Sequence, residues 1–386
     1  MFDISNIKIT PQMLTQIAEL DEFKGAWNSF ARLRPEQLKT LKKISTIESI
    51  GSSNRIEGNK LTDAEVEELL SHINKKTFKS RDEEEVAGYA ELMNTIFDDF
   101  SVIPLSENYI KHLHKILLQF VGKDERHRGE YKKVSNSVAA FDADGKEIGI
   151  VFETASPFDA PRLMEELAEW TRKNLDDTFY HPLIVIGVFI VHFLSIHPFQ
   201  DGNGRLSRAL TTMLLLKKNY AYVPYSSIES IIEQSKEGYY RALRRTQKTI
   251  WTQDVDYEPW LSFFLTVLQK QKKILEEKVA KRNALIQKRK EKTTQKNQKS
   301  SGNVTENVTE TTQKTVGKTV GKTVGKTVEK ILELVKKNPK ITQPDLAEKT
   351  GLSQRGIEWN IQQLKAQNII RREGSNKGGY WVVINK

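Results

Sequence analysis

Between His197 and Arg208 the chain reads HPFQDGNGRLSR. The glycines allow a tight turn, after which the backbone N–H groups of Gly202, Asn203 and Gly204 open a helix with no intrahelical acceptor. A helix start of this kind is an anion site. Arg205 and Arg208 fall three apart on one face of that helix, where two guanidiniums can grip phosphate oxygens. Asp201 sets a hard carboxylate beside the anion site, suited to Mg2+ held jointly with nucleotide phosphates. His197, directly before Pro198, can take a proton near neutral pH. The set describes transfer of a phosphate-containing group to a hydroxyl. A turn that merely caps a helix explains Gly-Asn-Gly alone, but it has no need of His, Asp and paired Arg at once. No Gly-Lys-Ser/Thr follows, which excludes a Walker P-loop.

HPFQDGNGRLSR resembles the Fic family signature HPFx(D/E)GNGRxxR at every specified position, with family-like order from about Ile110 to Leu268. The resemblance implies a protein adenylyltransferase: AMP passes from ATP, with Mg2+, to a Ser, Thr or Tyr hydroxyl of a protein target or of the chain itself, and pyrophosphate leaves. It makes His197 the base and Phe199 a plug that holds the loop. Asp201 becomes the Mg2+ ligand, and Gly202, Asn203 and Gly204 the anion hole. Arg205 would contact the inner phosphates and Arg208 the γ-phosphate. Tyr240, in the pair Tyr239-Tyr240 ahead of Ala242-Leu243, is similar to an adenine-side tyrosine of the family, while Gln247 stands where relatives often carry Asn. Upstream, Ser53-Asn54-Arg55-Ile56-Glu57-Gly58 resembles the inhibitory motif (S/T)xxxE(G/N). It would set Ser53 and Glu57 one turn apart and bring Glu57 to Arg208, in the place of the γ-phosphate. Relatives also remove AMP with that glutamate or transfer a phosphate, UMP or phosphocholine, so those outcomes stay open. A different class of reading is a DNA-binding regulator whose core senses a nucleotide and for which modification is secondary.

The elements that must carry these groups are mostly helices. LTDAEVEELLSHI has a polar start at Thr62 and apolar residues at helical spacing, and Leu105 to Phe120 sets Ile110, Leu113, Ile116 and Leu117 on one face. RGEYKKVSNSVAAFDADGKEIGIVFETASP carries β-prone runs around Asp144-Gly145, a tight hairpin that matches the family's flap. Helices resume at Pro161 and run through EPWLSFFLTVLQKQKKILEEKV. His192, on the apolar run Leu183 to Ile196, reads as a core histidine without metal-site spacing. The fold class is mainly α: a Fic-type helical bundle with a short β-hairpin flap, plus a small C-terminal winged helix-turn-helix domain.

Charge divides the chain of 386 residues unevenly. Residues 281–386 hold 23 Lys and Arg against 9 Asp and Glu, leaving 37 against 41 for the first 280. The expected domains are 1–100, a helical region with the inhibitory helix; 101–280, the catalytic core; 281–326, a basic low-complexity linker with a K-T-V-G repeat; and 327–386, the winged helix. In the last, Thr342 and Ser353 read as N-caps, Gly351 as a helix separator, and Asn-Lys-Gly-Gly as the turn between two strands. Arg355, Lys365, Arg371, Arg372 and Lys377 fall where DNA phosphates would be met. The absence of cysteine excludes disulfides, thiolate metal sites and cysteine nucleophiles. The N-terminus does not read as a signal peptide and Leu183 to Ile196 is too short to span a bilayer. A cytoplasmic protein with no membrane partner is expected, and homo-oligomerisation is compatible with the sequence.

Overall fold

A computed structural model describes residues 2–300 apart from 3, 6, 31–34, 73–77, 137, 142–146 and 178, and residues 331–384 apart from 351–356, 359, 362–363, 366–368 and 374–378. The chain forms two compact units, Met1–Gln295 and Lys296–Lys386. In chain order the elements are α1 (Pro11–Phe30), α2 (Pro35–Ile56), α3 (Asp63–His72), α4 (Arg81–Asp99), α5 (Glu107–Leu117), β1 (Val138–Phe141), β2 (Glu147–Phe152), α6 (Ala160–Asp176), α7 (Pro182–Ile196), α8 (Asn203–Lys217), α9 (Ile228–Gln234), α10 (Lys236–Gln247) and α11 (Glu258–Ser300). The protein is mainly helical, as its sequence predicts.

The first unit is built around α7. Pro182 sits in its first turn, where a missing N–H costs nothing, and every residue from Leu183 to Ile196 is buried. A helix apolar on all sides must be packed on all sides, and α6, α8 and α10 lie against it. The N-terminal part of α11 completes the sheath: Trp260 Nε1 donates to Gly187 O at 2.7 Å. A Cβ at Gly187 would fall 2.5 Å from Leu261 Cδ2, so the glycine is what admits α11.

Helix ends follow ordinary capping chemistry. The Thr62 hydroxyl and N–H both donate to Glu65 Oε2, at 2.7 and 2.8 Å, before α3. Ser80 caps α4, whose first turn carries Asp82, Glu83 and Glu84 on the positive end of the helix. Ser106 caps α5. The hairpin pairs β1 and β2 antiparallel, with Val138 opposite Phe152 and Phe141 opposite Glu147; its Asp144-Gly145 turn lies outside the described residues.

The sequence loses its apolar periodicity near Lys281, yet α11 runs on to Ser300. The added stretch is rich in Lys, Arg and Gln, which favour helix without needing an apolar face.

The second unit has its own core, with Ile331, Val335, Leu346, Ile361, Ile370 and Trp381 among its buried residues. A helical segment at 331–337 (α12) and α13 (Gln343–Thr350) precede an antiparallel pair, β3 (Ile370–Glu373) and β4 (Tyr380–Val383). Thr342 caps α13 through Asp345. The Trp381 indole donates to Ile341 O at 3.1 Å. Ser353, Gly351 and the Asn-Lys-Gly part of the turn lie outside the described residues.

One close approach links the bundle to the loop at residues 197–202. α4 and α5 meet where a Cβ on Gly88 would fall 2.0 Å from Leu117 O, and Leu117 Cδ2 in turn stands 3.0 Å from the Cβ position of Gly202. Gly88→Ala should therefore cost about 1–3 kcal/mol in urea unfolding, the range for overpacking. A loss below about 0.5 kcal/mol, typical of a surface change, would contradict the tight crossing.

Candidate active site

α7 stops at Ile196 because Pro198 disfavours helical geometry at His197. His197 instead adopts a left-handed conformation, φ 50° and ψ 60°, and its N–H still reaches Phe193 O. Gly202 takes a second left-handed position at φ 79° and starts α8. The first bond of the α8 ladder runs from Leu206 N–H to Gly202 O, so the N–H groups of Asn203, Gly204 and Arg205 precede it.

Phe199 is fully buried and stacks on His114, with ring centroids 3.8 Å apart. Asn203 clips it from behind: Oδ1 accepts Phe199 N–H at 3.0 Å and Nδ2 donates to Phe199 O at 2.7 Å. The Asn203 side chain thus closes the loop, a role that the sequence reading, which saw only its backbone, did not contain. His114 Nδ1 accepts the Gly129 N–H, so the proton is on Nε2, which donates to Asp201 O at 3.0 Å. Burial pushes its pKa down to about 4 and keeps the ring neutral.

The charged groups form two clusters. Asp201 Oδ1 accepts the Gly202 N–H, and Oδ2 lies 3.1 Å from Arg205 Nη2 and 3.2 Å from Arg81 Nη2. Burial works to raise the Asp201 pKa, but Arg205, the Gly202 N–H and Arg81 outweigh it and hold the carboxyl below its usual range. Arg205 is buried, with Nη1 3.3 Å from Glu85 Oε2. In the second cluster Arg208 is 4 % exposed. Its Nε donates to Ser53 Oγ, and its Nη2 to both Ser53 O and Glu57 Oε1, each at 2.8 Å. Burial opposes the charge on Arg208, and Glu57 overcomes this and raises its pKa.

Glu57 is the first residue past α2, where Gly58 turns the chain at φ 100°. Its carboxylate lies over the start of α8, so close that a Cβ on Gly204 would fall 2.2 Å from Oε1. Gly204 is therefore required by the approach of an anion and not by its own backbone angles. Arg55 anchors the same helix end from the other direction, forking to Glu233 at 2.7 and 3.0 Å and reaching Asp63 at 3.0 Å.

His197 is half-buried, and its Nδ1 lies 3.3 Å from Leu194 O, which leaves Nε2 free of the proton. Burial pushes its pKa down to about 4; Lys132 acts in the same sense, while Glu57 and Asp201 act against it. On α10, Tyr239 is buried and Tyr240 half-buried, the rings meeting edge to face at 5.1 Å. Burial and then the charge of Glu57 raise the Tyr240 pKa, which relates Tyr240 to the Glu57 cluster. Gln247 is buried at the end of the same helix. His192 is fully buried with Nε2 2.7 Å from Tyr257 OH, a core histidine as its setting in the sequence predicts.

Sequence reasoning missed Lys132, His114, Arg81 and Glu85. Of these only His114 carries a visible signal, a histidine on the apolar face of α5 between Leu113 and Leu117. Among the described residues no group of three or more His, Asp or Glu converges as a metal site. The ionised, part-exposed Asp201 beside a helix start fits a magnesium ion that shares its coordination with phosphates and water. No described helix is long and apolar enough to cross a membrane.

Residues 104–215 match the Fic/DOC family, and residues 326–371 match a winged helix-turn-helix DNA-binding family. A protein adenylyltransferase Fic of Drosophila willistoni is 27 % identical over 259 residues, which are 66 % of this chain and 46 % of that protein. The corresponding protein of Drosophila melanogaster is 27 % identical over 235 residues, 60 % and 42 % of the two chains. The chain thus spans about half the length of the curated relatives it matches. The crystal structure of a Fic domain containing signalling protein from Bacteroides thetaiotaomicron aligns with a TM-score of 0.55 at 25 % identity, covering 69 % of this chain and 97 % of that one. A Fic family protein from Desulfovibrio desulfuricans aligns over 98 % of both chains with a TM-score of 0.54 at 23 % identity. The chain therefore carries a Fic/DOC family domain and, after it, a winged helix-turn-helix domain.

Proposed function

We propose that the chain is a protein adenylyltransferase held in check by Glu57. The observation that carries this reading is the Glu57 carboxylate, 2.8 Å from Arg208 and over the start of α8, where the α8 dipole and the guanidinium would otherwise take a phosphate. An enzyme that binds ATP has reason to guard that seat. A nucleotide would lay its phosphates along Gly202, Asn203 and Gly204, with Arg205 on the inner groups, Arg208 on the γ-phosphate and Tyr240 beside the base. Asp201 would hold magnesium, which supplies positive charge to the phosphates when bound.

The neutral His197 ring then accepts the proton of a target Ser, Thr or Tyr hydroxyl at Nε2. The hydroxyl oxygen forms its bond to the α-phosphorus, the bond from that phosphorus to the bridging oxygen breaks, and pyrophosphate leaves with the electron pair. The target is a protein segment with an exposed hydroxyl, and self-modification uses the same step. Curated relatives named protein adenylyltransferase support the transfer of AMP over that of other groups. Removal of AMP, with Glu57 positioning a water, runs through the same residues and is the competing outcome.

A second role for the C-terminal unit, DNA binding, is favoured by its family match and by Lys365, Arg371 and Arg372 near its strands. Lys365 and Arg372 lie over the Trp381 ring at 5.2 and 5.1 Å, and Arg371 pairs with Glu373. These cations are therefore held in fixed places on that unit. Arg355 and Lys377 lie outside the described residues.

Glu57→Gly should raise incorporation of AMP from labelled ATP at least tenfold, about 1.4 kcal/mol in favour of productive binding. His197→Ala in that background should reduce it by about 10²–10⁴. An unchanged rate in Glu57→Gly would remove the inhibitory role, and full activity in His197→Ala would remove the base. For the C-terminal unit, retention of duplex DNA by the full chain should weaken steeply between about 50 and 200 mM salt. The pair Lys365→Gln and Arg371→Gln should weaken it by on the order of tenfold. Failure to retain DNA at low salt would leave the unit as a protein-contact module.

A further inference from the structure

Lys132 lies between α5 and the hairpin, 3 % exposed, and among the described residues no carboxylate pairs with it. A buried ammonium normally has a countercharge. Here its three protons are used by three neutral acceptors: Asn136 Oδ1 at 2.7 Å, Thr154 Oγ1 at 2.8 Å and Ile196 O at 3.1 Å. Its backbone N–H donates to Pro198 O at 2.8 Å. One residue thus holds the carbonyls on either side of His197, which sits in a left-handed conformation that is uncommon for a residue other than glycine. Asn136 carries the link onward, donating from Nδ2 to Phe199 O at 2.8 Å, and Thr154 donates to Asn136 O just beyond the end of β2.

We propose that Lys132 is a positioning residue for the reaction at His197: its ammonium ties the left-handed turn, the loop behind it and the foot of the β1–β2 hairpin into one unit, and sets a fixed positive charge against the imidazole. This rests on the reading of His197 as the base. Three neighbours act electrostatically on that ring: Lys132 ahead of the hairpin, Glu57 past α2 and Asp201 in its own loop. Only Lys132 favours the neutral, proton-accepting form. Burial lowers the Lys132 pKa to about 8, so its charge is present at neutral pH. Removing that charge makes the protonated imidazole easier to form, so the His197 midpoint must rise.

The test is an NMR titration of the His197 ring in the full chain, its signal assigned by loss in His197→Ala. Wild type, Lys132→Met, Lys132→Gln and Lys132→Arg are compared, with circular dichroism to establish which neutral variant folds. A folded neutral variant should show the His197 midpoint shifted upward from that of the wild type. Lys132→Arg should restore it. In the Glu57→Gly background the neutral variant should lose at least tenfold in kcat, with KM for ATP within twofold, because Lys132 is not among the nucleotide-binding groups. An unshifted midpoint in a folded neutral variant overturns the proposal. The titration needs no turnover, so its result stands whether or not the chain transfers AMP. A folded Lys132→Arg that leaves the midpoint at the neutral variant's value also counts against it.

Discussion

The stretch from Ile196 to Gly202 must keep its own carbonyl oxygens tied down if the N–H groups that open α8 are to face an anion. Four donors from outside the loop and one from α8 do this. Lys132 takes Ile196 O and Pro198 O, Asn136 and Asn203 share Phe199 O, and His114 takes Asp201 O. Each donor needs a scaffold of its own. His114 needs α5, α5 needs the close crossing at Gly88, and the whole loop needs the end of a helix packed on every side. A loop satisfied in this way keeps its shape whether or not a ligand is bound, which is the requirement for a preorganised site.

The end of α2 is held with comparable firmness. Ser53 gives Arg208 both its hydroxyl and its carbonyl, while Arg55, two residues on, points elsewhere and grips Glu233 and Asp63. These two sets of bonds fix the helix terminus before Glu57 makes any contact. The carboxylate therefore arrives at Arg208 with little conformational entropy left to lose. Electrostatics and packing act together here: Glu57 gives the buried Arg208 guanidinium its ion-pair partner, and Gly204 supplies the space.

The signature was legible because its groups are contiguous, with histidine, phenylalanine, carboxylate, glycines and arginines inside twelve residues. Ser53 and Glu57 were legible only through the resemblance that Ser53 through Gly58 bears to the inhibitory motif, with which the end of α2 before Gly58 agrees. The buried apolar helix and its core histidine followed from composition alone. Lys132, Asn136 and Thr154 were not legible, since a lysine in the polar run YKKVSN is normally solvated and nothing local shows that two loops enclose it. Arg81 and Glu85 read as a surface pair one turn apart, and only the tertiary fold brings them to Asp201 and Arg205. The extension of α11 to Ser300 escaped because periodicity detects a buried face, and that segment needs none to be helical.

Gly204 has a further consequence. A glycine at that position leaves room over α8 for a carboxylate, and the carboxylate there belongs to the same chain. A tethered carboxylate acts at an effective concentration set by its tether and independent of how much protein is present. On the proposed reading an incoming phosphate would be opposed equally in dilute and concentrated solution. On that reading a change in where α2 ends would relieve the opposition, and an event that loosens that terminus would act as a gain control on anion affinity without touching the anion site itself.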